Sequence, residues 1–254
     1  MLTAKQIARI CAFIKTHKLA KGLGTEEEPC SIAAINLSLT GKLTDDIPSC
    51  MSQVVGTWII RIQDEMPSDL RNAPEWKSAL MKATGTGRSH EKERIAMILD
   101  WTRAVVLPQI QSIADKYGFG KEWRRMCEVR TDESAKEVQI YAANVAASAA
   151  NAADGAVDGA DANAAASAAH AVGCAAANAA ANAPYAAYAV GGAAYAASAA
   201  ANAAYAADNA AYAAYAADNV ANAADGAAAA RLQFWRAINP SKLLAELATS
   251  LEEE

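Results

Sequence analysis

Apolar residues recur every three to four positions along the first 140 residues, which is the spacing of helices buried on one face. Ile7, Ile10, Cys11 and Ile14 fall on one face of a helix running from Thr3 to about Thr16. Asp46 and Pro48 suit a first helical turn, and Met51, Val54, Val55, Trp58, Ile59 and Ile62 continue the period to about Glu65, where Pro67 stops it. Pro74 opens a short helix carrying Trp76 and Leu80. A long pattern from Glu91 to about Tyr117 points Ile95, Ile98, Leu99, Val105 and Val106 inward, and Pro108 is expected to kink or restart it. Residues 30–39 partly alternate as a strand would, but their alanines favour a helix. Thr131 reads as an N-cap followed by the acids Asp132 and Glu133, and Asn239-Pro240 reads as the N-cap and N1 pair of a last helix through Leu251.

From Tyr141 the pattern changes. Residues 141–230 contain no Lys, Arg, Leu, Ile, Met, Phe or Trp, and are mostly Ala with Asn, Asp, Ser, Gly and seven tyrosines. The bulkier residues sit three or four apart (Asn163, Ser167, His170, Cys174, Asn178, Asn182, Tyr185, Tyr188, then Tyr195 to Asn222), and alanine has the highest helix propensity, so helix is expected throughout. Methyl side chains let helix axes approach to about 8 Å, and the tyrosines supply the large rings. The second stripe drifts around a straight helix, which favours breaks near Gly155, Gly159, Pro184, Gly191-Gly192 and Gly226. The expected class is all-α, with a helical domain of mixed composition over 1–130. An alanine-rich domain over 131–254 follows it, a bundle or short α-solenoid of closely packed helices with a closing C-terminal helix.

Charge and cysteine content narrow the function. The formal net charge of −5 argues against nucleic-acid binding, and six aspartates place −6 within 141–230, leaving +1 for the rest. Five dispersed cysteines (Cys11, Cys30, Cys50, Cys127 and Cys174) read as reduced thiols of a cytoplasmic protein. No long apolar run or secretion signal stands out, so no membrane association is expected.

Candidate chemistry is sparse. Thr84-Gly85-Thr86-Gly87-Arg88-Ser89 has the look of a glycine-rich anion loop but lacks a Walker lysine, and a turn between helices is the preferred reading. His170 and Cys174 share a helix face, yet two ligands do not make a zinc site, so neither a metal nor a cofactor is expected. No Ser-His-Asp order, HExxH, GxSxG or CxxC motif is present, and the chain is read as a non-enzyme. The most distinctive candidates are Tyr185, Tyr188, Tyr195, Tyr205, Tyr212 and Tyr215, with Asn202 and Asn209 between them, which would either fill a core or form an aromatic wall for a ligand or partner. For a nucleotide phosphate the cations would come from outside the alanine tract, such as Arg88, Arg231 or Arg236.

The phrases at Cys30–Asn36, Trp58–Asp64 and Ala83–Arg88, with the Tyr-Ala-Ala repeats and the closing Phe234-Trp235, resemble alanine-rich helical proteins of bacteria and their phages, some of them labelled immunity proteins. That resemblance implies a phage-encoded antagonist in the host cytoplasm. Such a binding protein would sequester a host-defence protein or a small nucleotide signal. The alternative is a self-assembling structural protein packed through alanine faces, and a homo-oligomer is expected; an enzyme or an ice-binding protein fits less well.

Overall fold

The computed structural model of the protein describes residues 2–111, 115, 120–131, 134, 229 and 232–249. The expectations for the alanine tract, including the helix breaks, the tyrosine rows and the His170–Cys174 pair, lie outside the described residues. Among the described residues the protein is all-α, with one isolated bridge between Gly24 and Pro29 and no strand. No helix among them is long and apolar enough to cross a membrane.

Local signals explain most helix ends. Helix α1 (Ala4–Thr16) starts at Thr3, whose hydroxyl accepts from the Gln6 N–H while the Gln6 side chain accepts from the Thr3 N–H. This reciprocal pair satisfies two otherwise orphaned donors. Helix α2 (Ser31–Thr40) takes the segment that partly alternates; it is buried on nearly every side, so its sequence shows no polar face. It ends at Gly41 in the left-handed region, with φ of 73°.

Helix α3 (Gln53–Glu65) starts later than Asp46 and Pro48 suggest. The residues expected in its first turn belong instead to the preceding loop, where Met51 N–H bonds the Pro48 carbonyl at 3.0 Å and the Asn36 side chain donates to the carbonyls of Thr44 and Asp46 at 2.8 Å each. Ser52 is the true cap, accepting from Val55 N–H at 3.1 Å. The helix stops at Met66, which the following Pro67 holds in extended backbone.

After the short α4 (Ser68–Arg71), Pro74 opens α5 (Pro74–Ala83). Helix α6 (Glu91–Trp101) then gives way to a π-helical turn over Thr102–Val106 and a 3-10 turn over Leu107–Ile110. Pro108 explains the change, because it lacks an N–H and its ring crowds the carbonyl four residues back. The chain widens so that Leu107 N–H bonds Thr102 O, five residues away. Helix α7 is Gly120–Val129 and α8 is Pro240–Thr249, capped by the Asn239 side chain, which accepts from Lys242 N–H at 3.3 Å.

By contacts the chain divides into two compact units, the first Met1–Ile98 with Asn239–Glu254 and the second Leu99–Ile238. In the first, α8 packs on α5 and α3, and α1 packs on α2 and α5. Trp58 and Trp76 meet at 6.2 Å between ring centres, and Ile32, Ile59, Ile62, Leu80 and Leu244 are buried in the same unit. Each such side chain contributes about 1.5–3 kcal/mol on burial. In the second unit Trp123 N–H bonds Leu107 O at 2.9 Å and Trp101 N–H bonds Ile238 O at 3.2 Å, so two indoles bind backbone carbonyls beside the proline-disturbed stretch.

Candidate functional site

The glycine-rich turn is the first place to test for chemistry. Gly85 and Thr86 N–H groups bond back to the carbonyls of Lys82 and Ala83 at 3.3 Å each, and Gly87 N–H bonds Cys50 O at 3.0 Å. The Thr86 hydroxyl donates to Ala83 O and accepts from Ser52 N–H, each at 2.9 Å. Buried Arg94 donates to the carbonyls of Thr86, Ser89 and Leu247. These donors already have protein acceptors, so the turn is a wired junction where α3, α5, α6 and α8 meet.

The N-terminus of α3 lies beside this turn and is an anion site by geometry, since its first N–H groups point outward with the positive end of the helix dipole. Glu91 fills it. Its carboxylate accepts from the Ser52 hydroxyl at 2.7 Å, Gln53 N–H at 2.8 Å and Val54 N–H at 3.1 Å. Arg88 donates to the Gln53 side chain and, at 3.3 Å, to Ile47 O. Of the ten candidate residues from the sequence, Arg88 is described, and it binds this junction on an exposed surface. Tyr185, Tyr188, Tyr195, Tyr205, Tyr212, Tyr215, Asn202, Asn209 and Arg231 lie outside the described residues.

A concave surface lies between α1 and α5. His17, just past the end of α1, accepts at its carbonyl from Lys77 Nζ at 2.8 Å, while Leu2 shares the cavity with Gly85 beyond α5. The two helices therefore run antiparallel. The cavity measures about 550 Å³; Leu2, Ile7 and Cys11 form one wall, Met81, Ser78 and Lys82 the other, and Cys50 lies between. That volume falls in the usual range of ligand pockets.

The pattern of apolar positions puts Ile7 and Cys11 on one face of the helix with Ile10 and Ile14. The structure divides that stripe: Ile10 and Ile14 are buried, whereas Ile7 is 44 % exposed. Four apolar positions span a wider arc than the core contact covers, and the surplus edge lines the groove.

Burial shapes the charges nearby. It pushes the Cys50 thiol above its ordinary pKa, keeping it protonated and poorly nucleophilic. It lowers the pKa of Lys77, whose ammonium is held at the end of α1. The helices forming the groove carry five cations (Lys5, Arg9, Lys15, Lys77 and Lys82) against one acid, Glu75, in a chain of net charge −5. Among the described residues no group of three His, Cys, Asp or Glu side chains is placed to hold a metal.

No protein-family model, curated protein or solved structure matches this chain.

Proposed function

We propose that this is a non-enzymatic binding protein that takes apolar side chains of a partner into the groove between α1 and α5. The observation that carries the reading is the groove of about 550 Å³ with Ile7 left 44 % exposed in its wall. Covering such apolar surface gains about 25 cal/mol for each Å² removed from water. The neighbouring polar groups support the same reading. Glu91 and Arg94 hold helix ends and carbonyls, and these bonds leave them poorly placed for acid–base work.

A protein fits this groove better than a nucleotide signal does. Phosphates call for converging cations, whereas Arg88 is engaged with Gln53 and Ile47 and the groove wall brings Lys82 alone among the described residues. The finer reading, a phage-encoded antagonist of a host-defence protein acting in the host cytoplasm, draws on the sequence resemblance. Self-assembly through alanine faces draws on residues outside those described.

The test uses N-phenyl-1-naphthylamine, a small uncharged apolar fluorophore. Wild type is expected to bind it saturably at one site, and Ile7→Asp and Met81→Asp are expected to weaken binding about tenfold or more. Near-ultraviolet circular dichroism would show that the variants keep native packing. Absence of saturable binding, or folded variants that bind as wild type does, would refute the reading.

A further inference from the structure

We infer that the occupant of the groove is an acidic amphipathic helix of a partner protein. This rests on the groove being a binding site and adds the chemistry of what enters it. Three observations converge on that occupant.

The first is shape. Two antiparallel helices bound a trough, and α1, with 13 residues, makes it about 20 Å long. A trough of that length takes a ridge of side chains spaced every three and four residues, the mode by which an amphipathic helix lies in a groove. A flat lipid surface has no ridge to insert. The second is the lining. Ile7 and Cys11 stand one turn apart on α1, and Ala4 and Ala8 follow on the adjoining strip of the same helix. Methyl-sized neighbours leave room for another helix to approach closely.

The third is charge. Lys15 continues the row Thr3, Ile7, Cys11 at four-residue spacing, so it stands on α1 one turn beyond the cavity lining, and Lys82 stands in the wall on α5. Lys5 and Arg9 on the outer face of α1 add to the field, while Lys18 beyond the helix is paired with Glu28 at 3.4 Å. Glu75, one turn before Ser78 on α5, is the acid on that face. A partner helix with apolar residues on one side and Asp or Glu beside them would satisfy the walls and the rim together. Complementary charge raises the association rate and sets the direction in which the helix lies.

The test uses the full chain with a fluorescent helical peptide of about 15 residues, with leucines at three- and four-residue spacing and glutamates beside them. A counterpart with lysines in place of the glutamates and phosphatidylserine vesicles serve as the other arms. The acidic peptide is expected to bind at least about tenfold tighter than the basic one. It is expected to slow alkylation of Cys11 and Cys50, which line the groove, without slowing that of Cys127. Lys15→Glu with Lys82→Glu, both exposed positions, should weaken it about tenfold, as should about 0.5 M salt, where screening acts within about 4 Å.

Equal binding of the two peptides, or an unchanged affinity in the double variant, would overturn the inference. So would recruitment to vesicles without peptide binding. If the fluorophore binds and Ile7→Asp blocks it while the acidic peptide shows no preference, the groove stands and this occupant falls. If neither binds, both readings fall.

Discussion

Replacing Glu91 by Gln isolates one long-range bond set that joins two helices. The carboxylate accepts three hydrogen bonds at the start of α3 while also standing in the first turn of its own helix. Hydrogen bonds to a charged group are worth about 1.5–3 kcal/mol net, against about 0.5–1.5 for neutral pairs. Because three donors share one carboxylate, their contributions do not add. Glutamine keeps one acceptor oxygen and turns an NH₂ toward a remaining donor, so a loss of about 2 kcal/mol is expected.

Glu93→Gln is the control, since Glu93 stands in the same first turn of α6. It should cost only the helix-dipole share, about 0.3–1 kcal/mol. Urea unfolding followed by fluorescence would report both, with Trp58 and Trp76 buried in the unit concerned. Hydrogen exchange adds a local readout, because the Gln53 and Val54 amides should exchange faster in Glu91→Gln and not in Glu93→Gln. If Glu91→Gln loses no more stability than the control, and those amides keep their protection, the claim that Glu91 holds the start of α3 is wrong.

Two further predictions concern packing and protonation. A Cβ at Gly56 would stand 2.5 Å from Ile47 Cγ2, so Gly56→Ala should lose about 1 kcal/mol despite alanine's better helix propensity; in an Ile47→Ala background the same change should instead gain about 1 kcal/mol, and denaturant midpoints would show whether the sign reverses. Burial, with Glu128 adding to it, pushes the Cys127 thiol up to about 12, so the folded protein keeps a proton that the unfolded chain loses above about pH 8.5. Its stabilising contribution is therefore complete at neutral pH and is lost as pH climbs toward about 12. Mass spectrometry should find Cys127 alkylated far more slowly at pH 8 in native than in urea-unfolded protein, and equal rates would contradict the assignment.

The helices starting near Thr3, Cys30, Pro74 and Asn239 were legible in the residues themselves, whereas α4 and α7 were not expected. Thr3, Pro67, Pro74 and Asn239-Pro240 act on neighbours within three or four positions, and such contacts form wherever the local chain turns helical. Pro108 marked a disturbance for the same reason, through its own missing donor and ring. The start of α3 was misread because two kinds of first-turn residue, Asp46 with Pro48 and then Ser52, lie close together. The choice between them is made by Glu91, 38 positions beyond Gln53, and by the Asn36 side chain that holds the earlier loop.

The candidate site divides in the same way. Thr84–Ser89 was visible as a motif, but only packing shows that the Gly87 N–H is taken by Cys50 O, while Gly85 and Thr86 bond back to Lys82 and Ala83. The groove had no motif, because it is the space between helices that begin about 70 residues apart. The compositional change near Tyr141 and the contact boundaries at Ile98 and Ile238 answer separate questions, the first about residue chemistry and the second about which segments touch. Periodicity fixes which face of a helix is apolar, since that follows from 3.6 residues per turn. Which part of that face meets the core, and which part is left lining a trough, depends on the position of a second helix that the local sequence does not encode.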